Sequence, residues 1–279
     1  MSLNNKKITP KEYNDFRKYL QDACGILLGD GKEYLVESRL NALIKKYEIS
    51  SLSELFNALY AGRLPQLKVA VIDAMTTNET FWFRDTAHFK ILSEDIFGAA
   101  ESTVGKSLRI WSAACSSGQE PYTISMEVQR YLSKNPGKLR GGVEVVATDI
   151  STHVLEEARR GVYNGMSIAR GLSREQREQF FVKEGDDFAV HPDIKKRVRF
   201  QEINLSSSYD RLGKFDVIFC RNVLIYFSNE LKQDILSRMA KALKPGGYLF
   251  LGSTESLTQH SKHFKMVRRH GGIAYQLDQ

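Results

Sequence analysis

A run of small residues between an apolar stretch and a helix-patterned segment is the strongest candidate for a binding site. In residues 108–122, LRIWSAACSSGQEPY, the small residues and Gly118 are followed by Gln119, Glu120 and Pro121. Small side chains after a strand let a ligand approach the backbone, and the next helix offers free N–H groups at its N-terminus. Glu120 could hold ribose hydroxyls, whereas it would repel a phosphate, and no P-loop lysine follows. The motif predicts a nucleoside ligand; a tight turn without a ligand is the alternative.

An acidic side chain follows the next predicted strand. Residues 143–151, VEVVATDIS, have the pattern of a buried strand that ends in Asp149. An acid at the end of the second strand, after a small-residue loop on the first, can bind nucleoside hydroxyls or amino groups. Asp149 could instead cap the next helix, although Ser151 could fill that role. We expect Asp149 to contact the ligand.

Polar residues follow two further predicted strands. Residues 215–227, FDVIFCRNVLIYF, contain a buried strand followed by Asn222 and Tyr226, and Asn204-Leu205 follows the strand predicted at 198–203. Loops after the carboxyl ends of parallel strands form the crevice in which ligands bind. The alternative is that Tyr226 packs in the core and that the asparagines belong to ordinary turns.

Two other features permit a functional and a structural interpretation. The stretch TTNETFWFR (76–84) combines three aromatics with Asn78, Thr80 and Arg84, which suits either a pocket wall or an aromatic contact between domains. Basic residues recur every seven positions in the predicted second helix, and Lys45 adds to them; the stripe is Lys32, Arg39 and Lys46. A solvated helix face is the default interpretation, and an acidic partner helix is the more specific one.

Composition excludes several classes of protein. The 279 residues carry a formal net charge of +7, which favours an acidic partner without requiring nucleic acid. No apolar run has the length of a membrane span, and the N-terminus has no signal-peptide core. The three cysteines and six histidines show no metal-ligand spacing, so we expect no metal site and a reducing, cytosolic compartment.

The predicted elements place these motifs in an α/β protein with two domains. The first 75 residues read as helices, with a second helix opening near Asp30 and a capping box formed by Ser51 and Glu54. We place the domain boundary between residues 76 and 87, and Asp85 could cap the following helix. From Leu108 onward, strands and helices alternate, which predicts a parallel sheet covered by helices.

The predicted strands lie at 108–113, 143–148, 198–203, 215–220 and 247–252, with helices near 121–133, 151–160 and 229–243. Pro245-Gly246-Gly247 should end the last of these helices, and the C-terminal residues read as an antiparallel hairpin. Residues from about 164 to 200 break the alternation and predict a small β-rich insertion.

Taken together and in order, TTNETFWFR, WSAACSSGQEPY, ATDIS, INL and CRNVLIYF resemble the chemotaxis receptor methyltransferases (CheR). The resemblance implies a Rossmann-like class I methyltransferase domain over 88–279, with a mostly parallel sheet, an antiparallel closing hairpin and an inserted β-subdomain. It also implies an all-α receptor-docking domain over 1–75 and a linker at 76–87 that contributes to the active site. The first motif departs from the Gly-x-Gly-x-Gly of Rossmann-like methyltransferases and keeps only Gly118, a departure that is itself typical of the CheR group.

The resemblance implies S-adenosylmethionine as methyl donor, S-adenosylhomocysteine as product, and glutamate side chains of chemotaxis receptors as acceptors. Arg84 and Tyr226 match the family's active-site residues. The cofactor positions that it implies are Asn78, Thr80, Arg84, Ala114, Glu120, Asp149, Ile150, Asn204, Leu205, Asn222 and Val223. The docking positions that it favours are Lys32, Arg39, Lys45 and Lys46.

Other expectations follow from the same resemblance. The β-subdomain binds a receptor C-terminal peptide in some family members, and the protein would be cytoplasmic, recruited to membrane-bound receptor arrays, with no nucleic acid and no membrane insertion. Two alternatives stay open: a non-catalytic receptor-binding module, and a class I methyltransferase that acts on nucleic acid or a small molecule. CRNVLIYF loosely resembles an Asn-Pro-Pro-Tyr amino-methylation loop, but both prolines are missing.

Overall fold

The computed structural model of the protein describes residues 7–62, 64–100, 107–257 and 263–278. The first six residues of the predicted helical domain and the last residue of the predicted methyltransferase domain lie outside these ranges. No helix within the ranges is both long and apolar enough to cross a membrane.

Four helices form the N-terminal part of the structure. They are α1 (Pro10–Cys24), α2 (Glu33–Lys46), α3 (Leu52–Tyr60) and α4 (Pro65–Met75). The Thr9 side chain and Glu12 form a capping box at the start of α1, and Gly25 ends this helix in the left-handed conformation, at φ 77°. Buried apolar residues of all four helices share one core, so these helices fold around their own centre.

Two details of these helices differ from the prediction. The second helix begins at Glu33, three residues after Asp30, whose exposed carboxylate pairs with Arg17 at 2.6 Å. The Ser51 hydroxyl accepts from the Glu54 N–H, but the Glu54 carboxylate turns away from Ser51. It accepts from the backbone N–H and hydroxyl of Ser50 instead, so the capping box is only half formed.

The rest of the chain is built on a seven-stranded sheet with the order β6-β2-β1-β7-β8-β10-β9. Its strands are β1 (Leu108–Ala113), β2 (Val143–Asp149), β6 (Val198–Glu202), β7 (Phe215–Cys220), β8 (Leu243–Phe250), β9 (Phe264–Arg269) and β10 (Gly272–Leu277). The first five are parallel, and β9 and β10 form the predicted antiparallel hairpin.

Helices cover both faces of the sheet. They are α5 (Thr86–Lys90), which continues as a π-helix (Ile91–Ile96) and α6 (Phe97–Ala100), then α7 (Gln119–Lys134), α8 (Thr152–Arg160) and α12 (Asn229–Ala242). Alternate residues of the strands face opposite sides. Ile110 packs in one core with residues of α7, and its neighbour Trp111 packs in the other with residues of α12. This is the doubly covered α/β arrangement that the alternating pattern predicts.

A small antiparallel sheet is inserted between β2 and β6. It consists of β3 (Val162–Tyr163), β4 (Phe181–Glu184) and β5 (Asp187–Val190) in the order β3-β5-β4, with α9 (Gly165–Ala169), α10 (Arg174–Phe180) and α11 (Pro192–Lys195) around it. The small sheet starts at Val162, two residues before the predicted insertion, and Val198 already belongs to the large sheet.

Pro245-Gly246-Gly247 does not end the last helix. Helix α12 ends at Ala242, and β8 begins at the next residue and contains all three. The pairing of β8 with β7 shifts register between Phe215 and Val217, so the glycines lie in an irregular part of the strand.

The segment between α4 and α5 packs against the small sheet through one aromatic side chain. The Trp82 ring meets Tyr163 and Phe181 edge-on, with centroids 5.0 and 5.1 Å away, and its backbone N–H donates to the Arg170 carbonyl. Gly171 lies directly against this turn at φ +102°, and a Cβ there would come within 2.0 Å of the Trp82 carbonyl oxygen.

Gly171→Ala should therefore lower the free energy of unfolding by more than about 3 kcal/mol, since it adds a backbone clash to a left-handed conformation. Gly185→Ala is the matched control: its φ of +62° is also left-handed, but nothing lies within 4 Å of its added Cβ. The control should lose only about 1 kcal/mol in urea unfolding. Equal losses in the two variants would contradict the close approach at Gly171.

Candidate active site

One open cavity lies at the carboxyl ends of β1, β2, β6 and β7, and the segment between α4 and α5 closes one side of it. Its empty volume is about 970 Å³, including the space at its mouth. The residues that the sequence analysis assigned to the cofactor or to catalysis all line it: Asn78, Thr80, Arg84, Ala114, Glu120, Asp149, Ile150, Asn204, Leu205, Asn222, Val223 and Tyr226. Their contact with a cofactor stays a prediction.

The turn after β1 has an unusual backbone. Ala114, Ser116 and Gly118 are all left-handed, with φ of 56°, 50° and 96°. A Cβ on Gly118 would approach Ala158 and the Tyr163 hydroxyl to 3.0 and 3.1 Å, so a side chain there is disfavoured by close contacts as well as by conformation. Helix α7 begins at Gln119, directly after this turn, and its N-terminus therefore borders the cavity.

Asp149 holds the same turn through its carboxylate. Its Oδ2 accepts from the Ser116 backbone N–H at 2.8 Å, and its Oδ1 accepts from the Ser151 N–H at 3.0 Å. Ser151, not Asp149, caps α8. Burial raises the pKa of Asp149, while the N–H groups of Ser151 and Ser116 act in the opposite direction. Asp149 therefore fixes the turn after β1 and lines the cavity at the end of β2.

Glu120, in the first turn of α7, accepts two side-chain hydrogen bonds. The Ser112 hydroxyl donates to its Oε1 at 2.7 Å, and the Arg221 guanidinium donates to its Oε2 at 2.8 Å. The Glu120 side chain is only 13% exposed. Its carboxylate is thus held in one orientation beside the cavity, with lone pairs left for a donor on a ligand.

Arg221 connects three segments of the site, and the sequence analysis did not identify it. Besides Glu120, its Nη2 donates to the backbone carbonyl of Arg84 at 2.7 Å and to Asp85 Oδ2 at 2.6 Å. Its side chain is 3% exposed. Asp85 consequently does not cap α5, as the sequence analysis suggested, because its carboxylate is bound to Arg221 and its backbone is left-handed at φ 56°. The sequence does contain one indication of its role, because Arg221 is a charged residue directly after a buried strand.

His88 lies in the same buried cluster. Burial and the positive charge of Arg221 lower the pKa of His88 to about 4, although Asp85 acts in the opposite direction. The His88 ring is 5.3 Å from the Phe250 ring. His88 is therefore neutral at physiological pH and adds no second positive charge beside Arg221.

Glu255 fixes the rim after β7. Its Oε2 accepts from the backbone N–H groups of Asn222 and Gly252, at 2.7 and 2.8 Å. Asn222 is left-handed at φ 58°, and a Cβ on Gly252 would approach the Asn222 side-chain nitrogen to 2.6 Å. Nothing in the local sequence pattern singles out Glu255, which lies in a polar segment after β8.

The N-terminal helices also supply part of the cavity wall, which was not predicted. Cys24 and Ile26 line the cavity. The Asn204 side chain donates to the Ala23 carbonyl at 3.0 Å, and the Leu27 N–H donates to the Tyr226 carbonyl at 2.8 Å. The loop after α1 is thereby hydrogen-bonded to the rim loops that carry Asn204 and Tyr226.

Arg84 and Tyr226 have polar groups available at the cavity. Arg84 donates a weak 3.4 Å hydrogen bond to the Glu79 carbonyl, and its guanidinium stands 5.3 Å from the centre of the Phe81 ring. Within the part of the chain that is described, it forms no ion pair, and the Tyr226 hydroxyl forms no hydrogen bond. A positive charge and a hydroxyl are therefore free to meet a substrate there.

The residues of the predicted basic stripe at α2 differ in their exposure and contacts. Lys32, Lys45 and Lys46 are exposed. Arg39 is only half-exposed, and its guanidinium is bound to backbone and side-chain oxygens at residues 75–77. The donors of Arg39 are therefore bound within the protein, whereas the three lysines are exposed.

A parallel sheet with acidic side chains and a small-residue turn around one cavity at its strand ends defines a Rossmann-like nucleoside-binding enzyme. Residues 78–273 match the family model "CheR methyltransferase, SAM binding domain", and residues 11–76 match "CheR methyltransferase, all-alpha domain". The chain belongs to the CheR methyltransferase family, and it is a methyltransferase that depends on S-adenosylmethionine.

Curated relatives match over nearly the whole chain. The chemotaxis protein methyltransferase of Vibrio parahaemolyticus is 49% identical, covering 97% of this chain and 98% of the relative. Chemotaxis protein methyltransferase Cher2 of Pseudomonas putida is also 49% identical, over 95% and 97%. The Salmonella typhimurium chemotaxis protein methyltransferase is 35% identical, over 90% and 86%.

The residues around the cavity fit this cofactor. The carboxylates of Glu120 and Asp149 can accept hydrogen bonds, and the ribose hydroxyls and the ammonium group of S-adenosylmethionine can donate them. Ile150 and Leu205 add apolar surface suited to an adenine ring. The absence of a side chain at Gly118 and the left-handed turn before it let a ligand approach the backbone.

Arg221→Lys should weaken binding of S-adenosylhomocysteine roughly tenfold, about 1.4 kcal/mol, because one ammonium cannot hold Glu120, Asp85 and the Arg84 carbonyl together. Arg109→Lys is the matched control. This arginine bonds Glu144 and the carbonyls of Leu212 and Lys214 at the opposite end of the sheet. The control should lose stability but keep its affinity in calorimetry; undiminished affinity in Arg221→Lys would contradict the assigned role.

Proposed function

We propose that this methyltransferase transfers the methyl group of S-adenosylmethionine to glutamate side chains of chemotaxis receptors, giving glutamyl methyl esters for sensory adaptation. One observation carries the proposal: four side chains line the same cavity. Glu120 and Asp149 are acids suited to bind the cofactor, and Arg84 and Tyr226 have polar groups that are free to bind a substrate. The family and the names of the relatives support the receptor substrate.

When bound, S-adenosylmethionine supplies a methyl group on a positively charged sulfur and leaves as S-adenosylhomocysteine. A glutamate acceptor has an ordinary pKa near 4.3 and is already a carboxylate at neutral pH, so the reaction needs no general base. This agrees with the buried, neutral state of His88. The remaining task for the protein is to align the acceptor and to exclude water.

Arg84 and Tyr226 perform this alignment in the proposed mechanism. The Arg84 guanidinium makes a charge-assisted hydrogen bond to the acceptor carboxylate, and the Tyr226 hydroxyl donates a second hydrogen bond. The carboxylate loses its charge as the ester forms, so a tight ion pair would stabilise the substrate more than the transition state. The weak hydrogen bond between Arg84 and the Glu79 carbonyl suits a side chain that changes partners when the receptor arrives.

The receptor contacts extend beyond the cavity. The exposed lysines Lys32, Lys45 and Lys46 are proposed to dock on the acidic face of the receptor's cytoplasmic helical bundle. We also propose that a receptor C-terminal peptide adds to β4, which is an edge strand of the small sheet and carries the 47% exposed side chain of Val182. Calorimetric titration with such a peptide tests this second contact. The protein would be cytoplasmic and recruited to membrane-bound receptor arrays.

Arg84→Ala should lower kcat for receptor methylation roughly a hundredfold and Tyr226→Phe roughly tenfold, since both changes disturb alignment. Affinity for S-adenosylhomocysteine should change less than kcat. The measurement is transfer of a tritiated methyl group to receptor cytoplasmic fragments, read as base-labile label. Arg140→Ala, which removes an exposed arginine away from the cavity, is the control.

The same assay separates the alternatives. Label on DNA instead of the receptor would support the nucleic-acid methyltransferase, and receptor binding without label would support the non-catalytic module. Wild-type turnover in both Arg84→Ala and Tyr226→Phe would contradict the roles assigned to these residues.

A further inference from the structure

Arg39 makes three hydrogen bonds to the start of the segment that borders the cavity. Its Nη1 donates to the carbonyls of Met75 and Thr76, at 2.7 and 3.0 Å, and its Nη2 donates to the Thr77 hydroxyl at 3.0 Å. Met75 is the last residue of α4. The carbonyls at a helix C-terminus lack partners within the helix, and a guanidinium there also meets the negative end of the helix dipole. One side chain of α2 thus fixes the point at which α4 ends.

The bound segment continues directly into the cavity wall. Thr76, Thr77 and Asn78 line the cavity. The Asn78 side chain donates to the Thr76 hydroxyl at 3.2 Å, and the Asn78 carbonyl accepts from the Ser116 hydroxyl at 2.8 Å. Ser116 is also the residue whose backbone N–H is bound by Asp149. A continuous series of hydrogen bonds therefore leads from α2 to the turn after β1.

Residues 77–80 belong to no helix or strand, so no regular backbone hydrogen bonds fix them. Side chains hold them instead: Ser116 bonds the Asn78 carbonyl, Arg170 pairs with Glu79 at 2.7 Å, and further groups act at either end of the segment. Arg221 holds one end, through the Arg84 carbonyl and Asp85, and Arg39 holds the other.

We infer that Arg39 is a positioning residue for the cofactor site, which fixes residues 76–78 against the cavity. The inference rests on the proposed cofactor site. It assigns different roles to basic residues at one helix. Lys32, directly before α2, and Lys45 and Lys46, at its end, are exposed for the receptor, whereas Arg39 bonds the linker. A receptor that docks on α2 would thereby contact the same helix that supports the cavity wall.

The test is binding of S-adenosylhomocysteine in the absence of any receptor, by calorimetry on the full chain. Arg39→Ala should raise the dissociation constant roughly 3- to 30-fold, the range expected for a residue that acts through a bonded network. Arg39→Lys should share most of this loss, because a lysine keeps the charge but cannot bond both carbonyls and the hydroxyl in the planar geometry of a guanidinium.

Arg17→Ala is the matched control. Arg17 is an arginine of the same helical domain that bonds Asp30 and Asn14 and does not touch the linker. Its affinity for S-adenosylhomocysteine should stay within twofold of wild type. All variants are compared at a temperature at which circular dichroism shows them folded, so that lower stability alone is not read as weaker binding.

Two results would overturn the inference. The first is an affinity for S-adenosylhomocysteine in Arg39→Ala that stays within twofold of wild type. The second is unchanged amide hydrogen exchange at residues 76–79 in Arg39→Ala without ligand, since loss of the contact should speed exchange there. Hydrogen exchange needs no cofactor, so it tests the role of Arg39 even if the wild-type protein failed to bind S-adenosylhomocysteine and the proposed site were wrong.

Discussion

The site depends on the pairing of one buried guanidinium, that of Arg221. A positive charge removed from water must be matched by acceptors, and removing one partner of such a pair typically costs about 3–5 kcal/mol. Arg221 finds its acceptors on two separate segments: Glu120 in α7, and the Arg84 carbonyl and Asp85 in the linker. Breaking any of these hydrogen bonds would cost free energy. Glu120, proposed to bind the cofactor, and Arg84, proposed to bind the methyl acceptor, are therefore held in fixed positions relative to β7.

The backbone around the cavity is also held in conformations that most residues avoid. Of the eight described non-glycine residues with left-handed backbone, five lie within or directly beside the cavity wall: Phe83, Asp85, Ala114, Ser116 and Asn222. The other three, Glu48, Leu139 and His270, lie elsewhere. Each such conformation costs of order 1–3 kcal/mol and persists only where surrounding bonds enforce it. Asp149 enforces it at Ser116, and Glu255 does so at Asn222. At these two residues the strain is therefore offset by hydrogen bonds to carboxylates, and this part of the site is arranged before any ligand arrives.

Local patterns were sufficient to predict most of the fold and several polar residues of the cavity, because strand ends and small-residue turns are encoded by neighbours in sequence. Ala114, Ile150 and Val223 were expected from the family resemblance alone. The errors at Asp85 and Glu54 share one cause: each carboxylate could have capped a helix, but it binds other donors instead, Arg221 for Asp85 and Ser50 for Glu54. The roles of Arg221 and Arg39 could not be predicted, since their partners lie 101 and 36 or more residues away in sequence. The contribution of the loop after α1 to the cavity wall likewise depends on how the two domains pack.

The most direct test of the central role of Arg221 is a double-mutant cycle with Asp85, read out as affinity for S-adenosylhomocysteine. Asp85 is not among the residues that line the cavity, so Asp85→Asn can affect binding only through the groups that it holds. The account predicts that Asp85→Asn weakens binding, and that the double variant with Arg221→Lys binds hardly more weakly than Arg221→Lys alone. A non-additivity of about 1 kcal/mol is expected for residues in one network. Effects that add to within about 0.5 kcal/mol, or wild-type affinity in Asp85→Asn, would contradict it.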